Sequence, residues 1–236
     1  MRNRSFSKIL FFLVFYFFFS LKNLFSQQTI FNVPSADIVE KNKIFIQHES
    51  QFRTKNPDSF INTTNYLSYG VGKETELDAT LFNLSSPSSN NLSLAIGFKN
   101  SKKIGYKLFK NIDSTLIIGS MIPISLNDNG VGNWTYAENS LYLNKTKTRV
   151  TGGVSYGTKQ IFGKEIICFL GGFEQKINDR INIIGDWYSK NHNLGIAALG
   201  LSYAAPENLT FYGGLQFPNN KTIGRQSVIF EIAKIF

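Results

Sequence analysis

The chain of 236 residues has one cysteine and two histidines. Each scarcity excludes a class. With Cys168 alone, an internal disulfide is impossible. Its neighbours Ile166, Ile167, Phe169 and Leu170 are apolar, so it reads as a small hydrophobe, buried or facing lipid, and not as a reactive thiol. His48 and His192 lie far apart, and with one cysteine they give no metal-ligand spacing. Neither a GxGxxG nor a phosphate-loop pattern occurs. No metal and no cofactor are therefore expected. Beyond the first 26 residues there is no apolar run of 18, which excludes a bundle of membrane-spanning helices. The basic residues form no dense run, so nucleic acid is not an expected partner.

What is present begins with a leader. Arg2, Arg4 and Lys8 precede a 13-residue apolar core, Ile9 to Leu21, broken by Ser20. That core is too short to span a bilayer, where about 20 residues are needed, and it suits a secretory signal cleaved after Ser26. Residues 1–26 are thus expected to direct export by the general secretory route. The leader contains four of the 25 basic residues and no acid, leaving 21 basic against 16 acidic. On a membrane barrel this mild excess would attract anionic lipid or favour anions in a lumen.

From Lys43 onward the chain alternates with a period of two, the signature of strands. Strands are expected over Lys43–Phe52, Asn62–Val71, Thr75–Leu84, Thr115–Ile124, Asn133–Leu143, Thr148–Tyr156, Glu165–Phe173, Arg180–Tyr188, Asn193–Tyr203, Asn208–Phe217 and Gln226–Phe236. Leu92 to Phe109 is either one strand or two, because Asn100 to Lys103 interrupts its apolar pattern. One strand there gives twelve in all. Short turns near Lys73, Ile112, Lys145, Asn178 and Pro206 then fall at one end with both termini, and the longer loops fall at the other. Thirteen would break that sorting, so twelve is the expected number. Gln27 to Asn42 reads as a lead-in or a small plug. The glycine pairs Gly152–Gly153, Gly171–Gly172 and Gly213–Gly214 fall inside strands and suit a curved wall.

The last strand, QSVIFEIAKIF, carries Val228, Phe230, Ile232 and Phe236 on one face, broken by Lys234, and ends on an aromatic. It resembles the closing strand of Gram-negative outer-membrane β-barrels. The resemblance implies an all-β fold, a closed antiparallel transmembrane barrel with up-and-down connections over residues 43–236, in the outer membrane. It also implies that Phe230, Ile232 and Phe236 form a signal read by the barrel-assembly machinery, with periplasmic chaperones and outer-membrane lipid as further partners. Strands of nine to eleven residues suit an apolar band of about 25 Å. Tyr66, Tyr69, Trp134, Tyr136, Tyr142, Trp187, Tyr188 and Tyr203 lie near strand ends and are expected to form an interfacial girdle.

The opposite face supplies the candidate site: Glu49, Asp78, Arg149, Asp186 and Glu231, expected to face the lumen. They fit either a salt-bridged filled interior or a narrow pore for a small solute. The loops are short for adhesion, which favours a narrow channel or transporter over a structural or surface-interaction barrel. No enzyme is expected. The hydrolase alternative rests on His48 and Ser50, which share the apolar-row face of the first strand, as twelve-stranded outer-membrane phospholipases place a Ser and a His on their lipid-facing rim. If the barrel reading is right, the unboiled mature protein should migrate differently from the boiled protein in a detergent gel. Identical mobility together with solubility in plain buffer would exclude it.

Overall fold

The computed structural model describes residues 29–55, 59–86, 92–104, 111–127, 130–159, 165–192, 194–222 and 224–236. The leader lies outside these residues. Twelve strands run in order: β1 Ile44–Arg53, β2 Phe60–Gly72, β3 Thr75–Ser86, β4 Ser93–Ile104, β5 Ile112–Ser125, β6 Trp134–Leu143, β7 Thr148–Gly157, β8 Ile167–Lys176, β9 Ile181–Tyr188, β10 Ile196–Ala205, β11 Leu209–Pro218 and β12 Ser227–Ile235. Each pairs antiparallel with its neighbours in sequence, and β1 pairs with β12 to close the barrel. At the seam Ile44 and Phe236 exchange both backbone hydrogen bonds, at 3.2 and 2.8 Å. The ambiguous stretch contributes one strand, β4, which stays in register with β5 from Ser93↔Ser125 to Ile104↔Ser114. Residues 105–110, the second half of that stretch, lie outside the described residues.

The polarity of the wall is inverted relative to a soluble barrel. Ile44, Ile46, Leu67, Leu77, Ile96, Phe169, Leu199 and Leu215 are exposed on the outside. Gln47, Glu49, Ser68, Asp78, Thr80, Ser155, Gln216 and Glu231 are buried on the inside. Period two makes both outcomes follow from one register, because successive side chains leave opposite faces of a strand. A belt of exposed Leu, Ile, Val and Phe around a polar interior is stable only with hydrocarbon outside.

The aromatic residues depart from expectation. Tyr69, Trp187 and Tyr203 are exposed on the outer surface. Tyr66, Trp134, Tyr136, Tyr142 and Tyr188 face inward. Trp134 packs on Tyr136 with ring centroids 5.2 Å apart and donates Nε1–H to Ser155 Oγ at 2.7 Å. Strand-end position does not make a girdle residue; parity decides, and these five share the parity of buried polar neighbours. Cys168 is likewise inward and buried.

The β2–β3 hairpin closes in two residues, and both adopt left-handed backbone: φ is 52° at Lys73 and 59° at Glu74. The strand twist demands this turn, which Asn-Gly fills without strain. Left-handed backbone costs an ordinary residue roughly 1–2 kcal/mol. Glu74 contributes its carbonyl to Ser101 N and Asn100 Nδ2, and glycine would keep both bonds. Glu74→Gly should therefore raise folded-state stability by about 1 kcal/mol, seen as a higher urea midpoint for loss of the fast-migrating folded band.

Candidate functional site

The site is the lumen together with the segment that fills it. Call the rim with the short turns, where Asn42 leads into β1 and Phe236 follows β12, the turn end, and the opposite rim the loop end. Residues 29–42 enter from the turn end and run up inside the barrel. Ile30, Phe31 and Val33 are fully buried there, and Ile30 N donates to Val33 O at 2.7 Å, closing a turn. Backbone inside a lumen leaves N–H groups that need acceptors, and the wall supplies them as carboxylates.

Asp186, on β9, is the upper clamp. Its Oδ2 accepts from the backbone N–H groups of Phe31 (2.9 Å), Asn32 (2.5 Å) and Val33 (2.7 Å). Asn32 Nδ2 donates to Oδ1 at 3.2 Å, and Gln216 Nε2 donates to Asn32 Oδ1 at 3.2 Å. Three successive N–H groups around one anion make a nest, here formed by the plug around a wall residue. Glu76, on β3, is the lower clamp. It accepts from Val39 N at 2.7 Å and pairs with Lys99 Nζ at 2.9 Å, with both side chains 1% exposed. A third tie is Arg149 on β7, whose guanidinium lies between Asp37 of the plug, at 3.1 Å, and Glu174 of β8, at 2.9 Å. Ser101 Oγ donates to Ala36 O at 2.5 Å.

Glycines on the inner wall make room for this segment. A Cβ at Gly172 would collide with Ile30 Cδ1, and one at Gly214 would lie 2.8 Å from Phe31 Cζ. At Gly70 a Cβ would strike the carbonyl oxygens of Val39 and Glu40, and Asn42 N donates to Gly70 O at 2.8 Å. Glycine is needed at Gly70 and Gly214, where backbone atoms come too close for any Cβ, whereas at Gly172 the end of the Ile30 side chain would have to shift.

Glu49, Asp78, Arg149, Asp186 and Glu231 all project inward. They do not converge on one centre. Asp186 and Arg149 hold the plug. Glu49 and Glu231 sit directly opposite each other across the seam, spread over a network in which Gln47 Nε2 donates to Glu231 (2.6 Å), Tyr66 Oη to Glu49 (2.9 Å) and Gln51 Nε2 to Glu49 (2.7 Å). Asp78 lies two residues along β3 from Glu76. Sequence reading missed Glu76, Lys99, Glu138 and Glu174. The first three share the inward parity of their strands and are buried, so parity was the signal that would have found them. The mild basic excess of the chain does not reach the lumen. Along the wall Glu49, Glu76, Asp78, Glu138, Glu174, Asp186 and Glu231 point inward with Lys99 and Arg149 set among them, and at the turn end Lys103 and Asp113 join them.

Below the lower clamp a cavity of about 310 Å³ opens at the turn end, lined by Asp37, Ser101, Lys103, Asp113, Tyr142 and Arg149. That is at the lower limit of the ~300–1,000 Å³ of small-ligand sites. Among the described residues no group of three His, Cys, Asp or Glu side chains could hold a metal ion.

The clamp geometry predicts how the plug is released. Asp186→Asn keeps the volume but removes the charge from three hydrogen bonds, each worth about 1.5–3 kcal/mol to a charged acceptor. Plug docking should weaken by about 2 kcal/mol overall, a roughly 30-fold larger undocked fraction. The measurement is maleimide labelling of Val33→Cys in the folded protein with and without Asp186→Asn, with Cys168 alone as background. Equal labelling rates would show that Asp186 does not hold the segment.

No family model and no curated protein matches this chain. Solved structures do resemble it. The KdgM porin in complex with disordered oligogalacturonate aligns with a TM-score of 0.51 at 13% identity, covering 82% of this chain and 98% of that one. The NanC porin aligns with a TM-score of 0.53 at 13% identity, covering 80% and 98%. At such identities the likeness concerns the fold: this chain is a closed twelve-stranded antiparallel barrel of the kind seen in outer-membrane porins.

Proposed function

We propose that the protein is an outer-membrane conduit for a small solute, closed at rest by its own residues 29–42. The observation that carries this reading is how the plug is held. Its polar ties to the wall are hydrogen bonds and ion pairs to Asp186, Glu76 and Arg149, and its Ile30, Phe31, Val33 and Val39 side chains are buried against the wall. The polar ties exchange for water when the segment leaves, and the apolar burial keeps it docked at rest. The inverted polarity of the wall and the porin-like fold support the membrane location. Export by the leader, chaperoned passage and insertion directed by Phe230, Ile232 and Phe236 complete the route. On β12 the first two lie on the outward apolar row, and Phe236 is 57% exposed beside the seam.

The acid-rich interior points to a cationic or neutral solute. Fixed carboxylates raise the local concentration of cations and repel anions. The oligogalacturonate of the KdgM complex is anionic, so the likeness of fold does not extend to ligand charge. The cavity beside Asp37 and Arg149 is a first binding station on the turn side. A cationic solute that competes with Arg149 for Asp37 would loosen the plug as it binds. A structural barrel without a pore is the reading that follows if the plug never leaves.

Planar-bilayer recording separates these. The wild-type barrel should show small or rare openings. A variant lacking residues 29–38, with the gel shift of a folded barrel, should give steady steps with a reversal potential favouring cations. A folded deletion variant that conducts nothing would overturn the conduit.

A further inference from the structure

The outer wall carries a polar cluster that the lumen does not use. His48 of β1 projects outward into the lipid-facing row. Its Nδ1 lies 2.8 Å from Asn65 Oδ1 on β2, and its Nε2 lies 3.0 Å from Ser50 Oγ. The ladder builds this arrangement: His48 is the direct register partner of Asn65, and Ser50 is two residues along the same outward row. An amide oxygen accepts only, so Nδ1 must carry the proton. Nε2 then presents a lone pair, and the Ser50 hydroxyl donates to it. Nucleophile, base and orienting acceptor stand in the relation that activates a serine.

We propose that Ser50, His48 and Asn65 form an acyl-ester hydrolase site on the outside of the barrel, acting on membrane lipid. The inference goes beyond the conduit and uses none of its residues. Position sets the substrate class. Ser50 lies three residues from the loop-side end of β1, roughly 10 Å along the strand. Around it the outward rows of β1, β2 and β12 present Ile46, Leu67, Phe230 and Ile232. A group so placed meets the acyl esters at the boundary between hydrocarbon and headgroups, with an apolar bed for the acyl chain. The outward pair Ser120–Thr135, joined at 2.9 Å, also satisfies itself by hydrogen bonding but contains no base.

The chemistry balances with water as the sole co-reactant. Ser50 Oγ attacks the ester carbonyl carbon as its proton passes to His48 Nε2. The carbon–oxygen bond to the lipid alcohol breaks, and that alcohol leaves with the proton. Water then adds to the acyl-serine, gives a proton to Nε2, and the acid departs as Ser50 recovers it. Asn65 acts through His48 as a positioning residue, fixing its tautomer. Backbone N–H groups of the wall are spent in the ladders, so no fixed pair of donors awaits the oxyanion, and slow turnover is expected.

Acylation of the serine is therefore the primary readout. Folded protein in micelles is treated with a long-chain alkyl fluorophosphonate, and the modified peptide is mapped; fatty-acid release from phosphatidylcholine mixed micelles is measured beside it. The expected result is a label on Ser50, absent in Ser50→Ala and at least 100-fold slower in His48→Ala, as befits a general base worth about 10²–10⁴, with fatty-acid release following the same order. Asn65→Ala should slow labelling, and Asn65→Asp should restore it with its acid limb moved to higher pH, because a carboxylate stabilises the imidazolium. All variants must keep the folded gel shift, and Ser50→Ala should leave conductance unchanged, so failure here is separable from failure of the conduit. A folded wild type unlabelled at Ser50, labelling that ignores His48, or labelling without fatty-acid release would each overturn the proposal.

Discussion

Closure is the constraint on which this structure depends. In hydrocarbon a backbone N–H or C=O has no water to turn to, and each unpaired group costs several kcal/mol. A sheet with two open edges is therefore excluded, and the β1–β12 seam is what makes the other eleven pairings viable. Once the sheet closes, the pleat assigns every side chain to lipid or lumen. The polar interior then follows as the other half of an apolar exterior, and a polar interior is what can hold a segment such as residues 29–42.

Much of this was legible because a period of two is hard to hide. The twelve strands, their sorting into short turns and long loops, and the inward parity of Glu49, Asp78, Arg149, Asp186 and Glu231 all come from alternation. What alternation could not supply was contact between distant strands or between wall and plug. Glu76 looks like one more strand-end acid until Val39 and Lys99 are seen on either side of it. Gly172 and Gly214 looked like relief for a curved wall; the structure shows that they seat Ile30 and Phe31. Tyr136 and Tyr188 were read by nearness to strand ends, although their parity with Glu138 and Asp186 already placed them inside. Asn65 was invisible for the same reason as the plug clamps: its relation to His48 depends on the register between β1 and β2.

The lumen uses acids in two ways. Asp186, Glu76 and Glu174 are consumed by ties that hold the plug or its anchors. Glu49 and Glu231 face each other across the seam and share their burden with Gln47, Gln51 and Tyr66. Two carboxylates in register opposition would repel if both were charged, so the side-chain amides and the phenol around them are what allow β1 and β12 to meet there. The seam thus joins the two strands whose pairing is least favoured on the inside and most required on the outside.

The plug is continuous with β1 through Lys43, at the turn end, and β1 is one side of that seam. A stopper tethered at one rim of a tube can swing out only through that rim. From the turn end it is a short strap of some fourteen residues. In the conduit proposed above, such a strap makes a latch that is worked from the turn end.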